Sequence, residues 1–242
     1  MMRFDAHSGD VFLDVFSGAP ERRVRAGESL IHAGEEASQV FNILEGTLMV
    51  SRIGKDGRRQ VLSFLFRNNF VGLTATDHYF FTVEAISDAV VVSRPRTMLE
   101  KHLEKDPLAE RAFLQMVFRV LENSLDLVYS LGQRTAIERA AVFLLYIRHR
   151  VLISTGAVND SDDDLSAVAL PMSRQDIADF LGLKKETVSR SFTELERKGL
   201  IARPHAHAAE LKDLSGLREL AGIMDFASPL RLVTADGDKP GT

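Results

Sequence analysis

Leu170-Pro171-Met172-Ser173-Arg174-Gln175-Asp176-Ile177-Ala178-Asp179-Phe180-Leu181-Gly182-Leu183-Lys184-Lys185-Glu186-Thr187-Val188-Ser189-Arg190-Ser191-Phe192 is the stretch that decides the fold. Ser173, followed three residues on by Asp176, predicts a helix start close to a capping box. Ile177, Phe180 and Leu181 supply that helix's inner face, and Gly182 stands where a left-handed C-cap would end it. A second helix is expected from about Lys184 to Lys198, with Val188, Phe192 and Leu195 spaced 4 and 3 on its inner side. Two short helices joined by a glycine-containing turn of three or four residues make a helix-turn-helix.

The second helix carries the polarity that major-groove recognition needs. Lys185, Glu186, Ser189 and Arg190 fall on the side away from Val188, Phe192 and Leu195, within the first two turns, and it is this end of the helix that meets base edges. Arginine can donate twice to guanine O6 and N7, glutamate can accept from cytosine N4, and serine adapts to either. Glu186, Ser189 and Arg190 are therefore the expected base contacts. Ser173, Arg174, Lys184, Lys185 and Thr187, around the two helix starts, are the expected phosphate contacts. From Ser173 to His205 there are seven basic and five acidic residues, a local +2 inside a chain of net −4. The plainer alternative is a helical hairpin with a solvated charged face, against which stands the coincidence of cap, turn glycine and polar quartet. Downstream, Gly199-Leu200-Ile201 leads into a segment to Leu211 that is short enough for a wing hairpin tipped by Pro204, His205 and His207. His205-x-His207 is half a metal site without a third ligand nearby, so an exposed or phosphate-touching wing tip is the better account.

Upstream, two other textures precede this segment. From about residue 21 to 95 the sequence reads as β-structure. Val40–Leu44, Leu48–Val50, Val61–Phe66 and Val90–Val92 are short branched or aromatic runs, with Gly27, Gly34, Gly46 and Asp56-Gly57 at the turns between them. Strands about ten residues apart without intervening helices predict a sandwich or jelly roll. After Pro95 the period becomes helical, and Pro107 to Gly132 has two apolar stripes. One is Phe113, Val117, Val120, Ser124, Leu127, Leu131, and the other is Leu114, Phe118, Leu121, Leu125, Val128. Two stripes imply burial on two sides, one against the roll and the other against a partner helix, with the first stripe expected as the dimer seam. A central helix within a monomer is the alternative. A further helix is expected from Ala136 to about Arg150, then a solvated loop, Ser154 to Ala169. Its Asp160, Asp162, Asp163 and Asp164 fail the EF-hand test, because Leu165 and Pro171 stand where Gly and Glu are required.

Composition bounds the rest. The chain has 242 residues, of which 45% are hydrophobic and 26% charged, as in ordinary globular proteins that form one large or two small domains. No run reaches the ~18 apolar residues of a membrane helix, and Met1–His7 lacks an apolar signal region, so a cytoplasmic protein is expected. Zero cysteine removes disulfides, thiolate zinc sites, thiol nucleophiles and cysteine-ligated iron–sulfur clusters. An enzyme such as a cupin would need clustered His-x-His and Glu on the strands, whereas residues 21–95 hold only His32 and His78, and no phosphate loop, nucleophile elbow or His-Glu-x-x-His occurs.

A glycine-punctuated roll, a long dimer-type helix and a helix-turn-helix bearing Glu186-x-x-Ser189-Arg190 resemble the CRP/FNR superfamily of bacterial transcription regulators, over about residues 22–220. Gln133-Arg134-Thr135-Ala136-Ile137-Glu138-Arg139-Ala140-Ala141-Val142-Phe143-Leu144-Leu145 resembles its FixK-like branch. The resemblance implies an α+β fold: an N-terminal arm (1–20), a cyclic-nucleotide-binding-like β jelly roll (21–106), a dimerisation helix (107–133) and a winged helix-turn-helix (134–220), from which the sequence departs in a C-terminal extension (221–242). It implies a homodimer on a two-fold-symmetric double-stranded DNA site, with Glu186, Ser189 and Arg190 reading a half-site of TTGA type. It also implies activation by contact with RNA polymerase, or repression where the site overlaps a promoter. In cyclic-nucleotide-binding members a Gly-Glu pair followed by Arg-Ser or Arg-Thr holds the ribose and phosphate. Here Gly72 is followed by Leu73, and no arginine occurs between Arg67 and Arg94. A buried phosphate without a guanidinium is prohibitively costly, so cyclic AMP and cyclic GMP are rejected. No cofactor is expected. Three options stay open for control: no ligand, a haem with His7, His32 or His78 as axial donor, or an unknown small molecule. The apolar residues Ile223, Met224, Phe226, Leu230, Leu232 and Val233 lie past the usual family end and are expected to dock on something, while the last seven or eight residues read as disordered.

Overall fold

A computed structural model of the chain describes residues 11–155 and 167–222. His7, the acidic residues from Asp160 to Asp164 and the apolar extension after Gly222 lie outside the described residues. Two compact units divide at Leu121/Glu122.

In the first unit a 3-10 helix, Val11–Phe16, precedes eight strands: β1 (Glu21–Val24), β2 (Ser29–Ile31), β3 (Gln39–Glu45), β4 (Leu48–Ile53), β5 (Arg59–Leu65), β6 (Phe70–Val71), β7 (Thr82–Ala85) and β8 (Ala89–Pro95). They form two antiparallel four-stranded sheets, ordered β1-β8-β3-β6 and β2-β7-β4-β5, as expected of a jelly roll. The β4–β5 hairpin turns at Lys55-Asp56-Gly57, where Gly54 N–H donates to Arg58 O at 2.8 Å and the Asp56 carboxylate accepts from Arg58 N. Ile43, Leu48, Val83, Ala85 and Val91, all essentially unexposed, form the centre of the core between the sheets.

Two helices follow. The first, α1 (Arg96–Lys105), was not expected from the sequence, because only Leu99 of its ten residues is fully buried and the rest is largely charged. The second, α2 (Pro107–Gln133), is the long helix expected from the stripes. The two stripes differ in how far the single chain covers them. Phe113 packs edge-on against Phe12 (5.6 Å between ring centroids) and Phe70 (6.3 Å), beside Ala109 and Ala112. Leu127 and Leu131 are half-buried, whereas Val117, Val120 and Ser124 are exposed. The second stripe is open throughout: Leu114, Phe118, Leu121, Leu125 and Val128 are 47% to 66% exposed. The cover over Phe113 comes from Phe12. The N-terminal arm folds its own aromatic side chain onto α2 and claims the flank to which Phe113 belongs.

The second unit is built on α3 (Ala136–Thr155), β9 (Ala167–Ala169), α4 (Arg174–Leu181), α5 (Lys185–Arg197), β10 (Ile201–Ala202), β11 (Ala208–Leu211) and α6 (Leu214–Ala221). Ala140 to Ile147 on α3 are buried, with Phe143 and Tyr146 each 5.9 Å from the Phe180 ring. Ala167–Ala169, expected as the end of a loop, is a strand. It pairs with β11 and widens the wing to three strands, β10-β11-β9.

Candidate nucleic-acid interface

The helix-turn-helix forms for the local reasons written in its sequence. The Ser173 hydroxyl accepts from Asp176 N–H (3.1 Å) while the Asp176 carboxylate accepts from Ser173 N–H (2.9 Å), so two orphan donors at the start of α4 are satisfied reciprocally. Gly182 closes α4 at φ 61°, ψ 38°, a left-handed conformation that glycine enters without steric cost. Lys184 caps α5 through its extended backbone, with no hydrogen bond from its side chain.

On α5, Val188, Ser191, Phe192 and Leu195 face the interior. Lys184, Lys185, Glu186, Ser189 and Arg190 are exposed, and Thr187 is half-buried. Among the described residues, the side chains of Lys184, Lys185, Glu186 and Arg190 have no ion pair or hydrogen bond within the chain. The Ser189 hydroxyl donates to Lys185 O at 3.1 Å, which leaves its lone pairs outward as acceptors. The charges farther along the helix are engaged differently. Arg197 pairs with Glu194 (2.7 Å), whose carboxyl that contact holds below the usual carboxylate range. Free donors and acceptors are thus concentrated at the N-terminal end of α5.

Ser173 is exposed at its cap. Arg174, an expected phosphate contact, is half-buried. Its guanidinium lies 4.2 Å from the Phe192 ring centroid, Nη2 donates to Ala206 O at 3.4 Å, and burial together with the nearby Arg203 charge lowers its pKa. Arg174 therefore ties the wing turn to α5. Arg203 makes a second tie that the sequence did not disclose: its backbone N–H and its Nε both donate to the Glu196 carboxylate, at 3.1 and 2.9 Å. At the wing tip Pro204 and His205 are exposed, and His207 Nδ1 stands 3.3 Å from Leu170 O. Among the described residues no group of three or more His, Cys, Asp or Glu is placed to hold a metal ion.

In the roll, the segment after Gly72 turns two aromatic side chains inward. Tyr79 and Phe81 are 4% and 5% exposed, and the Tyr79 hydroxyl donates to Gln39 O at 2.6 Å. Burial raises the Tyr79 pKa. His32 and His78 are exposed on loops, away from that core.

Residues 138–220 match the Crp-like helix-turn-helix domain, and residues 21–106 match the cyclic nucleotide-binding domain. The nitrogen fixation regulation protein FixK of Bradyrhizobium diazoefficiens is 38% identical over 186 residues, 76% of each chain. The chain is a FixK-like member of the CRP/FNR superfamily. The transcriptional activatory protein AadR of Rhodopseudomonas palustris is 36% identical over 74% of this chain and 73% of its own. The solved structure of FixK2 from Bradyrhizobium japonicum superposes with a TM-score of 0.75 at 31% identity, covering 86% of this chain and 99% of that one. The FixK-like chain is accordingly a DNA-binding transcription regulator and not an enzyme. Among its described residues no helix is long and apolar enough to cross a membrane.

Proposed function

We propose that this regulator works as a homodimer that sets its two α5 helices into successive major grooves of a palindromic TTGA-type site, one helical turn apart. In each half-site Glu186, Ser189 and Arg190 touch base edges, while Ser173, Lys184, Lys185 and Thr187 hold phosphates, with Arg174 joining them only if it leaves the Phe192 ring. The observation that carries this reading is the unpaired, exposed set Lys184, Lys185, Glu186 and Arg190 at the N-terminal end of a helix whose other face is sealed by Val188, Phe192 and Leu195. Among the described residues nothing uses those charges, and base edges and phosphates have the complementary chemistry.

Dimerisation is supported by α2. Leu114, Phe118, Leu121, Leu125 and Val128 recur at 4, 3, 4 and 3 residues and are left to water, a contiguous apolar seam of the kind a second copy covers. The seam we propose therefore centres on this stripe, with Val117 and Val120 at its edge. Phe113, Leu127 and Leu131 are taken up by the chain itself, and Ser124 is flanking.

Control is proposed to need neither cyclic nucleotide nor iron–sulfur cluster. The roll has no arginine from residue 68 to 93 to meet a phosphate, and Tyr79 and Phe81 fill its interior. Activation through RNA polymerase is the output proposed, by analogy with the activators it resembles. The test is a gel shift of the purified protein, without additives, on a TTGA-N-TCAA palindrome. Nanomolar binding is expected. No shift without additives but a shift in cell extract would show a required effector, and an absorbance band near the Soret region would identify that effector as haem.

A further inference from the structure

The Gln133–Leu145 segment contains an arginine in an electrostatically unfavourable place. Arg139 lies in the first turn of α3, where the helix dipole presents its positive end and a cation is disfavoured. Its guanidinium does not stay there. It reaches back and donates to three carbonyls: Nη2 to Leu131 O (2.7 Å), Nε to Arg134 O (2.9 Å) and Nη1 to Leu181 O (3.0 Å). Leu131 is in the last turn of α2, Arg134 is in the link between α2 and α3, and Leu181 is the final residue of α4. Both helix ends present carbonyls without intrahelical partners and a negative dipole pole, so one planar fork satisfies two termini at once. Directly beyond Leu181, the turn glycine of the helix-turn-helix also meets α2: a Cβ on Gly182 would lie 3.2 Å from Leu131 Cδ2 and 3.8 Å from Arg139 Nη1. Three residues later α5 begins.

We infer that Arg139 is the positioning residue that fixes the recognition helix to the end of the dimerisation helix, so that it determines the spacing between half-sites that the protein accepts. The last turns of α2 carry Leu125 and Val128 of the seam, and α5 carries Glu186, Ser189 and Arg190. With the Leu131–Arg139–Leu181 junction closed, the geometry of the seam dictates the separation and rotation of the two α5 helices. With it open, each reading head swivels about the Arg134–Thr135 link. Specificity for individual bases resides in α5, whereas specificity for spacing resides in this junction. The inference rests on the dimeric, palindrome-binding reading above.

The experiment measures full-length wild-type, Arg139→Gln, Arg139→Lys and Leu131→Ala proteins by fluorescence anisotropy. The duplexes carry two inverted TTGA half-sites at the preferred spacing, the same with one base pair inserted or removed, and one half-site alone. One base pair rotates a half-site by roughly 34°, so the wild type should lose at least about tenfold in affinity off the preferred spacing. Arg139→Gln gives up charge-assisted bonds to carbonyls and should lose about tenfold at the preferred spacing, with the spacing penalty falling to about threefold or less. Its binding to the lone half-site and its dimerisation constant should stay within about twofold of wild type, and Arg139→Lys, which keeps a charge but not the fork, should fall between. A spacing penalty in Arg139→Gln as steep as in wild type overturns the inference. So does an equal loss on the palindrome and the lone half-site, which is the signature of a merely unstable domain. If Arg139→Gln does not fold, Leu131→Ala is judged by the same ratio, since it loosens the contact from the α2 side. Failure of the wild type to prefer any palindrome overturns the palindromic-site reading itself, a result distinct from either of these.

Discussion

Replacing Phe118 with alanine tests where two copies meet. Phe118 is 60% exposed in the single chain, and a phenylalanine presents roughly 200 Å², so covering it removes about 120 Å² from water in each copy. At ~25 cal/mol per Å² this is worth about 3 kcal/mol, of which alanine keeps about a third through its own methyl group and the collapse of neighbours. In a two-fold interface the same change occurs twice, so the dimer loses about 4 kcal/mol and its dissociation constant rises about a thousandfold. Sedimentation velocity over a dilution series measures that shift. A thermal melt should show little change in the fold of the single chain, because Phe118 is not part of its core. DNA affinity should fall at low protein concentration and recover at high concentration, since only the population of dimer has changed. Phe113→Ala is the matched control. It removes a ring packed on Phe12 and Phe70, and should cost the first unit about 2–3 kcal/mol of stability while leaving the dimerisation constant almost unchanged. A Phe118→Ala protein whose dimerisation constant is within threefold of wild type would refute the placement of the seam on this stripe.

Arg190→Ala should cost about 1–3 kcal/mol on the specific site and relax selection at one base pair, read from affinities for a panel of single-base variants. Equal weakening on specific and random DNA would deny Arg190 a base contact. Lys185→Ala should weaken binding to all sequences and reduce the slope of log affinity against log salt by about one, and an unchanged slope would remove it from the phosphate contacts. The Glu196–Arg203 tie should make the wing sensitive to acid. Arg203 holds the Glu196 carboxyl below its ordinary range, so the stabilisation is fully present above the unfolded value near ~4.3 and is lost as pH falls through the lower folded value. The difference in melting temperature between wild type and Glu196→Gln should therefore narrow below pH 4, and a difference independent of pH would show that the ion pair contributes nothing there.

What was legible in the sequence was local. The helix-turn-helix could be placed almost to the residue because its determinants lie within a few positions of one another: the Ser173–Asp176 box, Gly182 at φ 61°, and Val188, Phe192 and Leu195 at helical spacing. The β-roll was legible because strands and turns alternate at short range. What the sequence left undetermined was long-range. Both stripes on α2 satisfy the same 4 and 3 spacing, and the contact that covers Phe113 comes from Phe12, about a hundred residues away in an arm with no periodicity of its own. Arg174 had the right type and position for a phosphate contact, but Phe192 and Ala206 compete for it. β9 is three residues long and is defined by its partner β11 rather than by its own pattern. Arg139 did leave a trace, a cation at the wrong end of a helix. That local conflict becomes intelligible only once the ends of α2 and α4 are seen beside it.

The roll matches the cyclic nucleotide-binding domain, and control without a nucleotide, as proposed, has a counterpart in its packing. Tyr79 is tied to the 33–39 turn at both ends of its side chain and backbone: its hydroxyl donates to Gln39 O, its N–H donates to Glu35 O at 2.9 Å, and its carbonyl accepts from Gly34 N–H at 2.7 Å. A ligand entering between the sheets would have to expel Tyr79 and Phe81 and break those bonds, and the segment from residue 68 to 93 offers no arginine of its own to a phosphate. Meanwhile the outer side of the same roll supports the first half of α2, through Phe12, Phe70 and Phe113. On the proposed reading, a roll that is already filled holds that half-helix in one place and presents the stripe whether or not a small molecule is bound. Added cyclic AMP at millimolar concentration should therefore change neither the dimerisation constant nor the affinity for the palindrome. A change of more than threefold in either would mean that the Gly72–Thr82 segment opens, and that its aromatic side chains occupy a seat which a ligand can still claim.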